Sequence, residues 1–201
     1  KLTNLREGET RKPFTREILE MLVKLSKDDR DRLQTVILSY YSGMRISEVY
    51  TAKVISYENT LCLSVAEDGG KTQSSTRIIP MHTELIKFLN DRNWMPSMNE
   101  GFVWETSSDN GLGKKFLRLK NNALAKLDLS EHSSSYVHHS FRHGFTWMLL
   151  QKGYNELEAA DLLGHKRENI GRTEAGRSYF SRQDISKLVQ MIESITTLEI
   201  I

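Results

Sequence analysis

Hydrophobic positions along the chain recur mostly at helical spacing. In "FTREILEMLVKLS", Phe14 to Ser26, the residues Ile18, Leu19, Leu22 and Leu25 fall on one stripe. Thr15 stands where an N-cap belongs, and Phe14 is placed to staple onto Leu19. "RDRLQTVILSYYSG" predicts a second helix that stops at Gly43 in a left-handed C-terminal position. "MRISEVYTA" follows as a short helix with Arg45 and Glu48 three apart. The period then changes: "TLCLSVAE" and "STRIIPM" flank the turn "DGGK", so residues 60–81 read as a β-hairpin or three-stranded meander. Helical patterns resume at roughly 82–93, 110–128, 138–152, 155–163 and 183–197. Residues 1–13 are polar and aperiodic, a linker or arm. The predicted fold is α+β, mainly helical with one small antiparallel three-stranded sheet.

Composition adds bounds to this outline. The chain has 201 residues, 38% hydrophobic and 27% charged, enough for one domain with a real core. No stretch approaches the roughly 18 to 20 consecutive apolar residues of a membrane span, and "KLTNLREGET" lacks the apolar core of a secretory signal. The expected compartment is the cytoplasm, with no membrane partner. The lone Cys62 excludes an internal disulfide framework and lies in an apolar run, where a buried thiol is expected. A net charge of +2 does not by itself imply a nucleic-acid partner, so the placement of the cations has to decide.

The densest candidate chemistry is "HHSFRHGF", His138 to Phe145. On a helix, Phe141, Phe145, Met148 and Leu149 share one arc, while His139, Arg142, His143 and Thr146 share the opposite one. A merely solvated face would use Lys and Glu. This face instead offers histidine, whose ordinary pKa suits proton transfer, and arginine, whose planar fork matches phosphate or carboxylate. His139 and His143 have the i, i+4 spacing of zinc-binding helices, but Ser140 occupies the place of that motif's glutamate and Arg142 would set a fixed charge beside the metal. No metal and no other cofactor is expected. "GMRISEV" offers Arg45, with Glu48 as an anchor for its fork. "DLLGH" ends a helix at Gly164 and sets His165 beyond it, where the helix dipole favours a hydrogen-donating imidazole. Lys71 follows two glycines at the hairpin tip, and Tyr179 lies in "GRSYFSRQD" shortly before the last helix.

In this order, Arg45, Lys71, His139-x-x-Arg142, Leu-Gly-His165 and Tyr179 resemble the signature of the tyrosine recombinase (phage integrase) family. The resemblance runs from about Phe14 to the C-terminus and covers that family's catalytic domain, residues 14–201 here. The resemblance implies that the family's separate N-terminal core-binding domain is not among these 201 residues, which begin with Lys1 rather than Met. What the resemblance implies is a site-specific recombinase or integrase that cleaves and rejoins double-stranded DNA without ATP. Tyr179 would be the nucleophile, forming a 3′-phosphotyrosyl link. Arg45 and Arg142 would hold the non-bridging oxygens with His165 as a further donor, His139 would accept the phenol proton, and Lys71 would protonate the departing 5′-oxygen. Lys53 and Arg77 are the other cations near the hairpin. Glu48 and His143 are expected to support the catalytic groups.

For DNA contact the best candidate is "GKKFLRLK", with Lys114, Lys115, Arg118 and Lys120 close together and Phe116, Leu117 and Leu119 available for the core. The last helix carries Ile185, Leu188, Val189, Ile192 and Ile195 on one stripe. It packs either on its own chain or on a neighbour in a homo-oligomer, a tetramer on DNA. The alternatives are a type IB topoisomerase-like activity and a catalytically silent DNA-binding module.

Overall fold

Thr15 accepts the Ile18 amide at 3.3 Å and opens α1 (Arg16–Ser26). Asp29 does the same for the Arg32 amide at the start of α2 (Arg30–Ser42). α2 ends at Gly43, whose φ of 62° is the left-handed conformation that only glycine adopts cheaply. The protein is described by a computed structural model at residues 11–65, 77–164 and 184–199. After α2 come α3 (Ile46–Thr51), β1 (Lys53–Tyr57), β2 (Thr60–Val65), β3 (Arg77–Pro80), α4 (Thr83–Asp91) and α5 (Asp109–Lys126). A 3₁₀ turn at Ser130–His132 precedes α6 (His139–Gln151), α7 (Glu156–Leu163) and α8 (Ile185–Glu193).

α2 is the axis of the molecule. Its residues from Leu33 to Ser42 are all buried, and α1, α3, α4, α5 and α6 pack around it. A helix apolar or closed off on every side belongs inside a bundle rather than on its surface. Phe14, expected to staple onto Leu19, is buried in the same core cluster as Leu19 and also sits among other rings. It stacks on Tyr136 at 5.7 Å and tilts against Phe141 at 4.8 Å and Phe116 at 6.3 Å, which ties the start of α1 to α5 and α6.

The sheet is an antiparallel meander in the order β1-β2-β3. It begins earlier than the pattern over 60–81 suggested. Lys53 to Tyr57 pair with Ser64 to Thr60 across a two-residue turn at Glu58 and Asn59, both at positive φ. β1 escapes a periodicity reading because Val54 is its single buried residue. β3 pairs with β2 from Cys62↔Pro80 to Val65↔Arg77. Cys62 is fully buried, and burial pushes its thiol up to about 11, so it is an inert core residue.

α8 packs on β3 of its own chain. Glu193 accepts from the Thr83 amide and hydroxyl at the start of α4, and the Tyr40 hydroxyl donates to the Thr196 carbonyl at 2.7 Å. Among the described residues no helix is long and apolar enough to cross a membrane.

Candidate active site

The ends of α2, α6 and α7 meet at the start of α3, and the chemistry gathers there. Gly43 permits that meeting: a Cβ at this position would stand 2.9 Å from both Leu163 and Phe145. Arg45 caps α3, and its backbone amide donates to Glu48 Oε2 at 2.7 Å while Nη1 donates to Oε1 at 2.8 Å. The Arg45 side chain remains 49% exposed, so its outer edge faces solvent.

Glu48 serves more than the one arginine anticipated. Arg77, at the base of β3, donates from Nη2 to Glu48 Oε2 at 2.9 Å and from Nη1 to Oε1 at 3.2 Å. Arg142 places Nη1 3.7 Å from Oε2. Burial alone would raise the Glu48 carboxyl, but the bonds and charge of Arg77, then of Arg45, outweigh it and hold the group below the usual carboxylate range.

Arg142 does not lie on an outward cationic face. It is only 2% exposed and turns inward, with Nη1 donating to the Gly43 carbonyl at 3.2 Å and Nη2 to the Leu163 carbonyl. Burial, then repulsion from Arg45, lowers its guanidinium to about 10, which leaves it charged at neutral pH. Arg77 Nε donates to the neighbouring Leu162 carbonyl at 2.8 Å. Two guanidinium groups therefore cap the carbonyl end of α7, where a helix dipole favours cations.

His139 is half-buried and His143 exposed, and their rings meet edge to face with centroids 4.8 Å apart. Burial, then His143, Arg142, Arg11 and Arg45, lowers His139 to about 4, so at neutral pH it is an uncharged proton acceptor. His143 is also lowered, by burial first and then by Arg11 and Arg142. His138 is half-buried: its Nε2 lies 2.9 Å from the Ser39 hydroxyl, and burial pushes it down to about 3. Among the described residues no group of three or more His, Cys, Asp or Glu side chains is placed to hold a metal ion. Lys71, His165 and Tyr179 lie outside the described residues.

The expected DNA-contacting run on α5 divides. Lys120 is corrected to an internal role: it is 3% exposed, and its ammonium donates to the Ser133 hydroxyl and carbonyl and to the Tyr136 carbonyl. Lys115 pairs with the fully buried Asp31 at 2.8 Å, with Glu105 at 3.5 Å and with Asp29 at 3.9 Å. Burial pulls the Lys115 ammonium down, and the carboxylates, led by Asp31, raise it overall. Lys114 and Arg118 are exposed.

Arg77 is the residue that sequence reasoning left without a role. Its signal was alternation: Arg77 and Ile79 share the buried face of β3, and a charge on an inward strand position needs a partner.

Comparison with known proteins gives the family and the fold. A sequence model of the phage integrase family matches residues 14–173. The tyrosine recombinase XerC from Rickettsia bellii strain OSU 85-389 is 31% identical over 141 residues, 65% of this chain and 42% of the relative, and XerC of strain RML369-C is 30% identical over the same length. The chain thus spans less than half the length of these relatives. Among solved structures, XerA recombinase superposes with a TM-score of 0.58 at 19% identity, covering 94% of this chain and 65% of that one. The integrase from mycobacterium phage Brujita gives 0.64 at 16% identity, covering 96% and 60%. With the family sequence model spanning residues 14–173, most of the chain, the chain belongs to the phage integrase family, the tyrosine recombinases.

Proposed function

We propose that this chain is the catalytic domain, residues 14–201, of a site-specific DNA recombinase or integrase. The observation that carries the reading is the gathering of Arg45 and Arg142, far apart in sequence, around the single carboxylate of Glu48 beside an uncharged His139. In the proposed reaction the Tyr179 oxygen attacks a backbone phosphorus of double-stranded DNA. The bond from tyrosine oxygen to phosphorus forms, the bond from phosphorus to the 5′-oxygen breaks, and the phenol proton passes to His139. Lys71 gives a proton to the departing 5′-oxygen. Arg45, Arg142 and His165 donate to the non-bridging oxygens as charge builds on them; two fixed guanidinium groups meet that need without a metal. The same steps in reverse rejoin the strand, with the bond energy kept in the phosphotyrosine and no ATP required.

DNA binding should rest mainly on phosphate contacts, with Arg45, Lys114 and Arg118 exposed to make them. A homotetramer on DNA is the assembly we propose, in the cytoplasm, on the bacterial nucleoid. The C-terminal helix is its candidate connector, and leaving its seat on β3 would mean breaking the contacts of Glu193 with Thr83.

The test is incubation with nicked suicide duplexes in EDTA, followed by a denaturing gel. A covalent protein–DNA adduct that vanishes in Tyr179→Phe is the expected result. An adduct that survives this change overturns the nucleophile assignment, and the absence of any adduct on DNA that the protein binds favours a silent binding module.

A further inference from the structure

We propose that Arg77 is a positioning residue of the strand-cleavage site. Its fork occupies both oxygens of Glu48 and keeps that carboxylate, which anchors Arg45, from competing with the scissile phosphate for Arg142. The inference rests on the recombinase reading above and assigns a new part in it.

The geometry carries the role. A carboxylate placed between phosphate-binding arginines is a liability, because it offers them the same bidentate acceptor that a phosphate does. Glu48 is needed all the same, since it anchors Arg45 from both backbone and side chain. Arg77 resolves the conflict by engaging Glu48 more closely than Arg142 does, at 2.9 and 3.2 Å against 3.7 Å. Its side chain is 6% exposed, so it has no route to DNA itself. It is also fixed from behind. Nε donates to the Leu162 carbonyl, and Gly164, at φ 64°, packs so closely that a Cβ there would stand 2.8 Å from Arg77 Nη1. A guanidinium held on three sides can hold a carboxylate in one orientation, which a flexible ammonium cannot do.

The variants separate positioning from mere support. A suicide duplex selected by the wild-type protein from a randomised pool serves as substrate, and single-turnover cleavage is measured beside duplex binding. Arg77→Met should slow cleavage by about 10²-fold, the effect of misplacing one preorganised donor, while binding changes by less than about threefold. Adding Glu48→Gln to Arg77→Met removes the competing charge and should recover about tenfold of the rate. A structural role predicts the opposite, a double variant slower than the single one, and that result overturns the proposal. An Arg77→Met rate equal to wild type overturns it too. Should Arg77→Met fail to fold by circular dichroism, Arg77→Lys replaces it in both comparisons, with an expected loss of about tenfold.

A readout independent of activity keeps the two readings apart. In ¹³C-detected titration of the whole chain, the Glu48 carboxyl should titrate below the ordinary range in wild type and move up in the Arg77 variant. An unmoved Glu48 overturns the positioning role. A wild-type protein that selects no cleavable duplex counts against the recombinase reading alone, while the titration still decides who holds Glu48.

Discussion

Two clusters of cations look alike in this sequence and behave as opposites in the fold. Around Glu48, three guanidinium groups face one carboxylate, so a positive field survives for an incoming phosphate. On α5, Lys115 faces the three carboxylates Asp29, Asp31 and Glu105, and Lys120 is enclosed by the carbonyls of Ser133 and Tyr136. The first cluster is buried and yet open to chemistry at its Arg45 edge. The second is closed by its own counter-charges, and only Lys114 and Arg118 stay exposed. What separates the clusters is not the density of positive charge but whether a neighbour already answers it.

The sharpest way to break that contrast is Arg142→Lys. An ammonium cannot reproduce the fork between Gly43, Leu163 and Glu48, so single-turnover cleavage should fall by about 10²- to 10³-fold, with a modest loss of DNA binding. Unchanged cleavage would remove Arg142 from the reaction. Gly43→Ala attacks the same cluster through the backbone. The left-handed φ and the crowding by Phe145 and Leu163 should together cost about 2–4 kcal/mol, read as a lower urea midpoint with unchanged slope.

On the other side, Lys120→Met should lower stability by about 1–3 kcal/mol, since the buried Tyr136 carbonyl and the partly buried Ser133 carbonyl lose a charged donor. It should leave the salt dependence of DNA binding as it was. A fall in the salt slope would show Lys120 reaching phosphate after all. Lys114→Ala and Arg118→Ala should do the reverse, each reducing the salt slope by about 1 if it contacts one phosphate, with stability unchanged.

The arginine cluster also answers to pH, through the histidines at the start of α6. His138 and His139 have folded values of about 3 and about 4, below their ordinary 6.5. Between those limits the unfolded chain binds more protons than the folded one, so stability is fully present above about 6.5 and declines as pH falls toward 4 and 3. His138→Gln, which can keep the bond to Ser39, should flatten that decline when denaturation midpoints are compared at pH 7 and pH 5. An identical pH dependence in the variant would assign the titration elsewhere.

Much of the frame was legible beforehand. The stripe and cap of α1, the stop of α2 at Gly43 and the helical runs 138–152 and 155–163 follow from local spacing, and each emerged within a few residues. β1 did not, because one buried valine in five residues leaves no period to detect. In the site, the pairing of Arg45 with Glu48 was readable as an i, i+3 contact, whereas the pairing of Glu48 with Arg77 joins β3 to α3 and has no local trace. The ring partners of Phe14 were hidden for the same reason, since Tyr136 and Phe141 lie more than a hundred residues further along the chain.

The sequence by itself determined the elements, because caps, periods and a left-handed glycine act over a few residues where backbone sterics and hydrogen bonding decide. It also determined which side chains could bind a phosphate. The tertiary structure alone decided which of them remain able to. Burial strips each charge of water, and the charge must then take whatever partner the packing of distant helices brings; for Lys115 that partner was a buried aspartate, and for Arg142 the end of α7 and a carboxylate already held by Arg77.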